Sequence, residues 1–270
     1  MRYEELQGVK IPKVGFGTWS IGGGGRADPR QDGSSLAALR SALELGYQHF
    51  DTAEAYANGH TEELLGRAIR DAQVDRSSLF LTSKVRAENL SSQGVIKACA
   101  RSLRRLGTGY LDLYLIHWPN PGVPLEETLA SLNALVESGQ VRHVGVSNFD
   151  RELLVRAQGA SKKPLFTNQI PYSIADRSYV KNGVLDYCQS NDILVTAYSP
   201  LQQGYLRPGP ELLQIAEKRS VTSHQVAIAW LCSQPRIITI PMSADPLHQR
   251  ANLEAADIVL SMDEVAAIAA

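Results

Sequence analysis

An alternation of short apolar runs with longer segments of helical period constrains the fold of this 270-residue chain more than any other feature. About eight runs have the length and composition of buried β-strands: Val14–Thr18, His49–Asp51, Leu79–Lys84, Leu111–His117, Val141–Ser147, Phe166–Gln169, Ile193–Tyr198 and Ile237–Ile240. The segments between them predict helices: Ser34–Leu45, Thr61–Asp71, Ser91–Leu106, Leu125–Ser138, Arg151–Gln158, Val180–Ser190, Glu211–Arg219 with Ser223–Cys232, and Pro246–Ala255. Strands that each precede an amphipathic helix predict a parallel sheet covered by helices.

The predicted helix Ser91–Leu106 illustrates the amphipathic pattern. Five of its apolar residues are spaced so that they share one face: Val95, Ile96, Cys99, Leu103 and Leu106. We expect that face to pack against the sheet.

The first turn favours a closed barrel over an open dinucleotide-binding sheet. An open sheet would need G-x-G-x-x-G there, and GFGTWS lacks the third glycine. The run Gly22–Gly25 lies too far from a lysine and a helix start to cradle a phosphate, so we interpret it as a flexible rim loop. Eight repeats predict an α/β fold, a (β/α)8 TIM barrel, in which residues 1–270 form one domain. The first dozen residues, with Gly8 at their centre, predict a β-hairpin that closes the bottom of the barrel.

Composition indicates a cytoplasmic protein without nucleic-acid or membrane partners. The net charge is −1, so no overall field attracts polyanions. Three widely separated cysteines offer neither a disulfide framework nor a zinc spacing, and they are typical of buried thiols in a reducing compartment. The acidic amino terminus does not resemble a signal peptide, and no apolar run approaches the roughly 20 residues of a membrane span. We expect a monomer without a metal site.

Four polar residues are predicted to meet at one rim of the barrel. Asp51, Lys84 and His117 end three consecutive predicted strands, and Tyr56 lies five positions beyond Asp51. Reactive groups of such barrels cluster at the carboxyl ends of the strands. An ammonium beside a phenol lowers the phenol's pKa, and a carboxylate keeps that ammonium charged. The four residues therefore predict a proton-transfer site in which Tyr56 is the general acid and His117 hydrogen-bonds the oxygen that receives the proton.

Segments along nearly the whole chain, roughly Val9 to Asp257, resemble the aldo-keto reductases in the family's order. They are GFGTW, GYQHFDTAEAY with EELLG, LTSK, YLDLYLIHWP, VRHVGVSNF, TNQI and AYSPL. The resemblance implies a barrel that binds a nicotinamide dinucleotide without a Rossmann motif. It implies reduction of an aldehyde or ketone to an alcohol, with hydride from nicotinamide C4 and a proton from Tyr56. The chain resembles the bacterial branch that includes 2,5-diketo-gluconate and methylglyoxal reductases, so small aldehydes and α-dicarbonyls are the expected substrates.

The resemblance also implies roles for individual residues. Lys84 and Asp51 match the pair that tunes the tyrosine's pKa, and Trp19 and Trp118 match the substrate pocket. The residues that match the cofactor site are Gly17, Thr18, Ser147, Asn148, Gln169, Tyr198, Ser199, Leu201, Ser243, His248 and Asn252. In the family, the residues at Ser147, Asn148 and Gln169 hydrogen-bond the nicotinamide carboxamide. The aromatic residue at Tyr198 stacks on the ring, and those at Ser199 and Leu201 approach the pyrophosphate.

One segment departs from the family pattern. The family usually carries I-P-K-S with an arginine five positions after the serine, and both cations grip the adenosine 2′-phosphate. This chain has Met242 and His248 at the two positions, with Arg250 nearby as a possible substitute. Losing two cations that contact a dianion weakens the preference for the phosphorylated cofactor. We therefore expect NADPH to bind, with NADH as a plausible alternative.

Two other functions stay open at the level of sequence. One is a binding module like the ion-channel β-subunits, which sense cofactor occupancy; the complete set of four polar residues argues against it. The other is a Schiff-base aldolase or lyase with Lys84 as the nucleophile. Asp51 argues against that function because it would hold the amine protonated. Taken singly, a strand-end lysine is most often a salt-bridge partner, and a histidine before Trp-Pro is most often structural.

Overall fold

A computed structural model describes residues 1–269 of the protein. Its strands are β1 (Tyr3–Leu6), β2 (Val9–Pro12), β3 (Phe16–Gly17), β4 (His49–Asp51), β5 (Phe80–Val85), β6 (Leu111–Ile116), β7 (Val141–Ser147), β8 (Leu165–Pro171), β9 (Leu194–Tyr198) and β10 (Ile237–Thr239). Its helices are α1 (Asp32–Glu44), α2 (His60–Asp71), α3 (Ser92–Leu106), α4 (Leu125–Glu137), α5 (Arg151–Ala160), α6 (Ser178–Lys181), α7 (Val184–Ser190), α8 (Pro210–Arg219), α9 (Ser223–Ser233), α10 (Pro246–Glu254) and α11 (Met262–Ala269).

The predicted strands and helices are present, with boundaries displaced by one or two residues. The exception is the predicted helix Val180–Ser190, which is divided into α6 and α7. Gly183 lies between them with φ +75°, a left-handed conformation that ends one helix and begins the next.

Strands β3 to β10 form one parallel sheet in chain order, and the sheet closes on itself. At the seam, the backbone N–H of Gly15 donates to the carbonyl of Thr239 at 2.8 Å, and the N–H of Thr239 donates to the carbonyl of Lys13 at 2.8 Å. Val14 and Thr239 form a parallel bridge between these bonds. The predicted (β/α)8 TIM barrel is therefore confirmed. That residues 1–270 form a single domain stays a prediction.

The predicted hairpin is also confirmed at the bottom of the barrel. β1 and β2 pair in antiparallel fashion, and the turn between them contains Gly8 with φ +75°. Leu6 and Ile11 of the hairpin are buried against a cluster of side chains inside the barrel: Phe80, Leu113, Leu115, Phe166, Leu194 and Ile238. The hairpin thus excludes water from the amino-terminal end of the barrel and leaves the carboxyl-terminal end open.

The helices cover the sheet with the faces that their periodicity predicts. In α3, Val95, Cys99, Leu103 and Leu106 are buried as expected. Ile96 is 48% exposed, so its prediction was wrong. At about 100° per residue, Ile96 falls beyond the buried stripe, and the small side chains of Ala98 and Ser102 complete that stripe instead.

No helix within residues 1–269 has both the length and the apolarity to cross a membrane. Cys99, Cys188 and Cys232 are buried and carry free thiols. Among the same residues, no cluster of three or more histidine, cysteine or acidic side chains has a geometry that could hold a metal ion.

Candidate active site

The lysine predicted for the site points into the barrel because β5 alternates between two environments. Phe80 packs in the cluster at the bottom of the barrel, and Thr82 and Lys84 follow on the same face of the strand. The neighbouring β4 pairs Asp51 with Thr82, so the Asp51 carboxylate lies one step below Lys84. Both side chains are almost completely buried.

The predicted histidine lies one step higher at the barrel mouth. Leu113 and Leu115 of β6 fill the barrel interior, and His117 follows them at the same spacing. Lys84 pairs with Leu115 in register, which places the His117 imidazole above the ammonium. The stagger of the three strands therefore orders the side chains from a buried carboxylate to a partly exposed imidazole.

The Lys84 ammonium has three hydrogen-bond acceptors. Its Nζ donates to Asp51 Oδ1 at 2.5 Å, to the Thr52 carbonyl at 3.0 Å and to the Tyr56 hydroxyl at 3.1 Å. Burial alone would lower the pKa of Lys84, but Asp51 and Tyr56 outweigh it and hold that pKa above its ordinary value. An ammonium with three acceptors is not the free amine that a Schiff-base mechanism requires.

Tyr56 lies in the loop after β4, with its hydroxyl directed at the ammonium. Its ring makes edge contacts with Trp19 at 5.1 Å and with His117 at 5.8 Å between ring centroids. Burial raises the pKa of the Tyr56 phenol above its ordinary value, and Lys84 opposes that rise. The ammonium thus lowers the pKa of the phenol as expected, but burial outweighs this effect and the net direction is upward. The reason is that a phenolate loses more solvation in this site than one ammonium restores.

The Tyr56 loop is held by an arginine that the sequence did not single out. After Tyr56, Ala57 and Asn58 adopt left-handed conformations with φ +46° and +59°. Arg86 Nη2 donates to the Ala55 carbonyl at 3.1 Å and to Asn58 Oδ1 at 2.6 Å. A non-glycine residue in this conformation costs about 1–2 kcal/mol, so the turn depends on such contacts. No sequence pattern indicated that Arg86, just beyond β5, reaches this loop.

The His117 imidazole is neutral near pH 7. Burial lowers its pKa to about 3, and the charges of Lys84 and Arg86 add to the effect. A neutral imidazole carries one N–H donor and one acceptor nitrogen. His117 can therefore donate a hydrogen bond to an oxygen at the barrel mouth without titrating between about pH 5 and 9.

A hydrogen-bond network joins residues at the carboxyl ends of β7, β8 and β9. Gln169 Nε2 donates to Asp51 Oδ2 at 2.8 Å, and Ser147 Oγ donates to the Gln169 carbonyl at 2.9 Å. Asn148 Nδ2 donates to Ser147 Oγ at 3.0 Å, and the Tyr198 hydroxyl donates to Asn148 Oδ1 at 2.9 Å. Asn148 has φ +63°, a conformation that asparagine tolerates better than most residues. The network fixes these polar groups around one wall of the barrel mouth.

The predicted site residues meet in one cavity of about 1000 Å³. Those that line it are Gly17, Thr18, Trp19, Asp51, Tyr56, His117, Trp118, Ser147, Asn148, Gln169, Tyr198, Ser199, Leu201, Ser243, His248 and Asn252. Lys84 lies beneath the cavity and contacts it through Tyr56. Trp19 and Trp118 are 44% and 52% exposed and flank the opening. The sequence thus located the cavity, and the roles of its residues stay predictions.

Several lining residues were not anticipated. They belong to the loop after β9, the start of α9 with its N-cap, the segment after β10, and α10: Gln203, Gly204, Tyr205, Thr222, His224, Gln225, Ile240 and Ala251. The pattern Thr222–Gln225 forms a capping box, which marks the start of a helix in the sequence but not its position beside a cavity. Arg250 does not line the cavity. It is therefore not a substitute for the missing arginine in this conformation.

The structure explains why position 17 is a glycine, which the sequence alone did not reveal. A Cβ on Gly17 would lie 2.5 Å from the carbonyl oxygen of Ile240. The backbone N–H of Gly17 also donates to the Pro241 carbonyl at 3.2 Å. The glycine therefore permits the close approach of β3 to the segment after β10, where the barrel closes.

Comparisons with known proteins agree with this geometry. A sequence model described as the aldo/keto reductase family matches residues 13–270. The methylglyoxal reductase YeaE of Escherichia coli strain K12 is 38% identical over 266 residues, which cover 96% of this chain and 90% of YeaE. The crystal structure of the thermostable aldo-keto reductase Tm1743 with the inhibitor epalrestat has a TM-score of 0.96 and 42% identity, and the match covers 100% and 99% of the two chains.

A second solved structure, an aldo/keto reductase from Klebsiella pneumoniae in complex with NADP and acetate, has a TM-score of 0.87 and 37% identity. The match covers 97% of this chain and 92% of the Klebsiella protein. The resemblance expected from the motifs is confirmed by the family match and by these relatives. The chain belongs to the aldo/keto reductase family.

Proposed function

We propose that the protein is an NAD(P)H-dependent reductase that converts an aldehyde or ketone to an alcohol, with Tyr56 as the proton donor. The observation that carries the proposal is the 3.1 Å contact between the Tyr56 hydroxyl and the buried Lys84 ammonium at the wall of a large cavity. The E. coli relative named a methylglyoxal reductase and the Klebsiella structure with NADP support the same reaction class and cofactor.

The cavity fits a dinucleotide together with a small substrate. Pockets for small molecules usually measure roughly 300–1,000 Å³, and this one is at the upper limit. Ser147, Asn148 and Gln169 would hold the nicotinamide carboxamide, and Tyr198 would support one face of the ring. The remaining cofactor contacts would come from Gly17, Thr18, Ser199, Leu201, Ser243, His248 and Asn252. When bound, the reduced nicotinamide supplies the hydride that the carbonyl carbon needs.

The chain's own residues complete the reaction by moving one proton. Tyr56 donates its hydroxyl proton to the oxygen of the substrate as that oxygen gains negative charge. Lys84 stabilises the phenolate that remains, and Asp51 keeps Lys84 charged. The raised pKa of the free phenol keeps Tyr56 protonated until substrate arrives. An alkoxide is a stronger base than a phenolate, so the proton transfer is still favourable.

His117 orients the carbonyl and the tryptophans select the substrate. A neutral imidazole donates one hydrogen bond to the carbonyl oxygen without competing with Tyr56 as an acid. Trp19 and Trp118 flank the opening, where they would contact small aldehydes and α-dicarbonyls. The loop Gly22–Pro29 does not line the cavity.

The cofactor is NADPH, with reduced discrimination against NADH. Within residues 1–269, the lining of the cavity includes no lysine or arginine side chain. Met242 offers no charge, and His248 is 74% exposed. The KM values for NADPH and NADH measure this directly. A preference above about a thousandfold for NADPH would require two full cations at the 2′-phosphate and would refute the proposal.

We further propose that the protein acts as a monomer in the cytoplasm. Three buried free thiols suit a reducing compartment. Light scattering of the purified protein should give a mass near 29.5 kDa, and a dimer mass would contradict the monomer.

The activity is tested by following the absorbance of NADPH in the presence of methylglyoxal, glyoxal and aromatic aldehydes. We expect oxidation of NADPH that depends on the carbonyl compound and yields the alcohol. Tight binding of NADPH without turnover of any carbonyl would instead favour a cofactor-sensing module. Borohydride trapping of a substrate on Lys84 would favour an aldolase.

A further inference from the structure

The far end of the cavity has an unusual charge composition. Between the barrel mouth and the adenosine end that the family resemblance implies, the described lining includes no lysine and no arginine. A dinucleotide carries a pyrophosphate, and the phosphorylated form adds a dianion at the 2′ position. Such groups are normally bound by charge-assisted hydrogen bonds. Two imidazoles, those of His224 and His248, line this end, and each can donate a hydrogen bond to the charged oxygen of a phosphate.

The two histidines differ in their surroundings. His248 is largely exposed, and its Nδ1 lies 3.9 Å from Asp245 Oδ2, so a carboxylate already faces it. His224 lies in the first turn of α9 and is half-buried. Within residues 1–269, no hydrogen bond or ion pair engages the His224 imidazole. Its ring nitrogens are therefore free to bind a group inside the cavity.

His224 is also close to the segment that departs from the family pattern. α9 packs against β10 and against α10. β10 leads into Met242 and Ser243, and α10 carries His248 and Asn252. A hydrogen-bond donor at position 224 thus lies on α9, which packs beside the segment where Met242 replaces the family's lysine. The sequence did not indicate that His224 lies at this position.

We propose that His224 binds a phosphate group of the dinucleotide and contributes to cofactor affinity in a site that lacks the family's lysine. The inference rests on the proposed function, because it requires that the cavity holds a dinucleotide. His224 is a binding residue and takes no part in the proton transfer at Tyr56. Its imidazole supplies one charge-assisted hydrogen bond, which is worth about tenfold in affinity.

The test measures binding of cofactor fragments by isothermal titration calorimetry, without any turnover. The probes are 5′-AMP, 5′-ADP and 2′,5′-ADP, and the proteins are the wild type and the variants His224→Ala and His224→Gln. We expect His224→Ala to weaken binding by about tenfold, and His224→Gln, which keeps a neutral donor, to lose less. A loss seen with 5′-ADP but not with 5′-AMP or 2′,5′-ADP, both of which lack a pyrophosphate, assigns the contact to the pyrophosphate. A loss confined to 2′,5′-ADP assigns the contact to the 2′-phosphate.

A complementary variant keeps the result independent of folding defects. Met242→Lys restores the family's cation, and the double variant Met242→Lys/His224→Ala should bind 2′,5′-ADP at least as tightly as the wild type. The matched comparison is His248→Ala, which removes the imidazole that already faces Asp245 and should have a smaller effect. Equal thermal melting temperatures show that the variants are folded.

The outcomes separate this inference from the proposed function. If the wild type binds the fragments and His224→Ala binds them within twofold of the wild type, the role of His224 is overturned and the reductase proposal stands. If the wild type binds neither NADPH nor any fragment, both proposals fail. A large loss in His248→Ala with none in His224→Ala would assign the phosphate contact to α10 and contradict the inference.

Discussion

Replacing Lys84 by methionine should lower the stability of the folded protein as well as impair catalysis. The ammonium is fully buried and lies 2.5 Å from Asp51 Oδ1. Methionine has a similar length but no charge, so the variant leaves a carboxylate buried without its cation. Breaking a buried ion pair by removing one partner costs about 3–5 kcal/mol of folding free energy. For a chain of this size each kcal/mol corresponds to about 2–4 °C, so we expect the melting temperature to fall by roughly 6–20 °C.

The double variant Asp51→Asn/Lys84→Met distinguishes this explanation from a simple packing defect. It removes both charges and retains an oxygen at position 51 that can accept the hydrogen bond from Gln169. We expect it to recover at least about 2 kcal/mol relative to Lys84→Met alone, because no buried charge is left unpaired. It should nevertheless remain inactive, since the Tyr56 hydroxyl has lost its ammonium partner.

Circular dichroism measures the melting temperatures, and the absorbance of NADPH measures turnover in the same samples. Asp51→Asn alone completes the double-mutant cycle. The reasoning is refuted if Lys84→Met melts within about 2 °C of the wild type. It is also refuted if the double variant is no more stable than Lys84→Met.

Three further outcomes follow from the site. Arg86→Met removes the donor that holds the loop of Tyr56 and should lower kcat by roughly 10–100-fold through misplacement of the phenol, as steady-state kinetics would measure. Gly17→Ala places a Cβ 2.5 Å from the Ile240 carbonyl and should cost about 1–3 kcal/mol of stability, measured by urea unfolding. The pH profile of kcat should show no step near pH 6–7 from His117, because burial lowers the pKa of its imidazole to about 3. On the alkaline side, Tyr56 should keep its hydroxyl proton until above about pH 10, because the pKa of its phenol is raised.

Matched controls accompany the two substitutions. Arg67→Met removes an exposed arginine whose partner, Asp71, lies on the same helix, and it should leave kcat unchanged. A Cβ on Gly33 of α1 would meet nothing within 4 Å, so Gly33→Ala should not destabilise the protein. An unchanged kcat in Arg86→Met would contradict the role assigned to Arg86. An unchanged stability in Gly17→Ala would contradict the role assigned to Gly17. A pH step near neutrality that disappears in His117→Gln would show that the imidazole titrates.

The barrel and the position of its polar residues could be predicted because both depend on local patterns. The period of two along β5 determines that Lys84 shares the interior with Phe80. The positions of Asp51 and His117 at the ends of the two strands that flank β5 follow from the same rule. These features need only the spacing of residues within one strand and the parallel order of the strands.

Other features depend on contacts between distant segments, which no local pattern encodes. Arg86 reaches the loop of Tyr56 across a gap of about thirty residues, and His224 reaches the cavity from a helix far along the chain. The net upward direction of the Tyr56 pKa was not anticipated for the same reason, since it depends on how completely the neighbouring segments exclude water.

The most direct test of the central claim is kcat of Tyr56→Phe with NADPH and a small aldehyde, measured beside its dissociation constant for NADPH. Phenylalanine retains the ring contacts with Trp19 and His117 and removes only the hydroxyl that lies 3.1 Å from Lys84. We expect kcat to fall by about 10²-fold or more while NADPH binding stays within about twofold. A kcat within about tenfold of the wild type would contradict the claim that Tyr56 donates the proton.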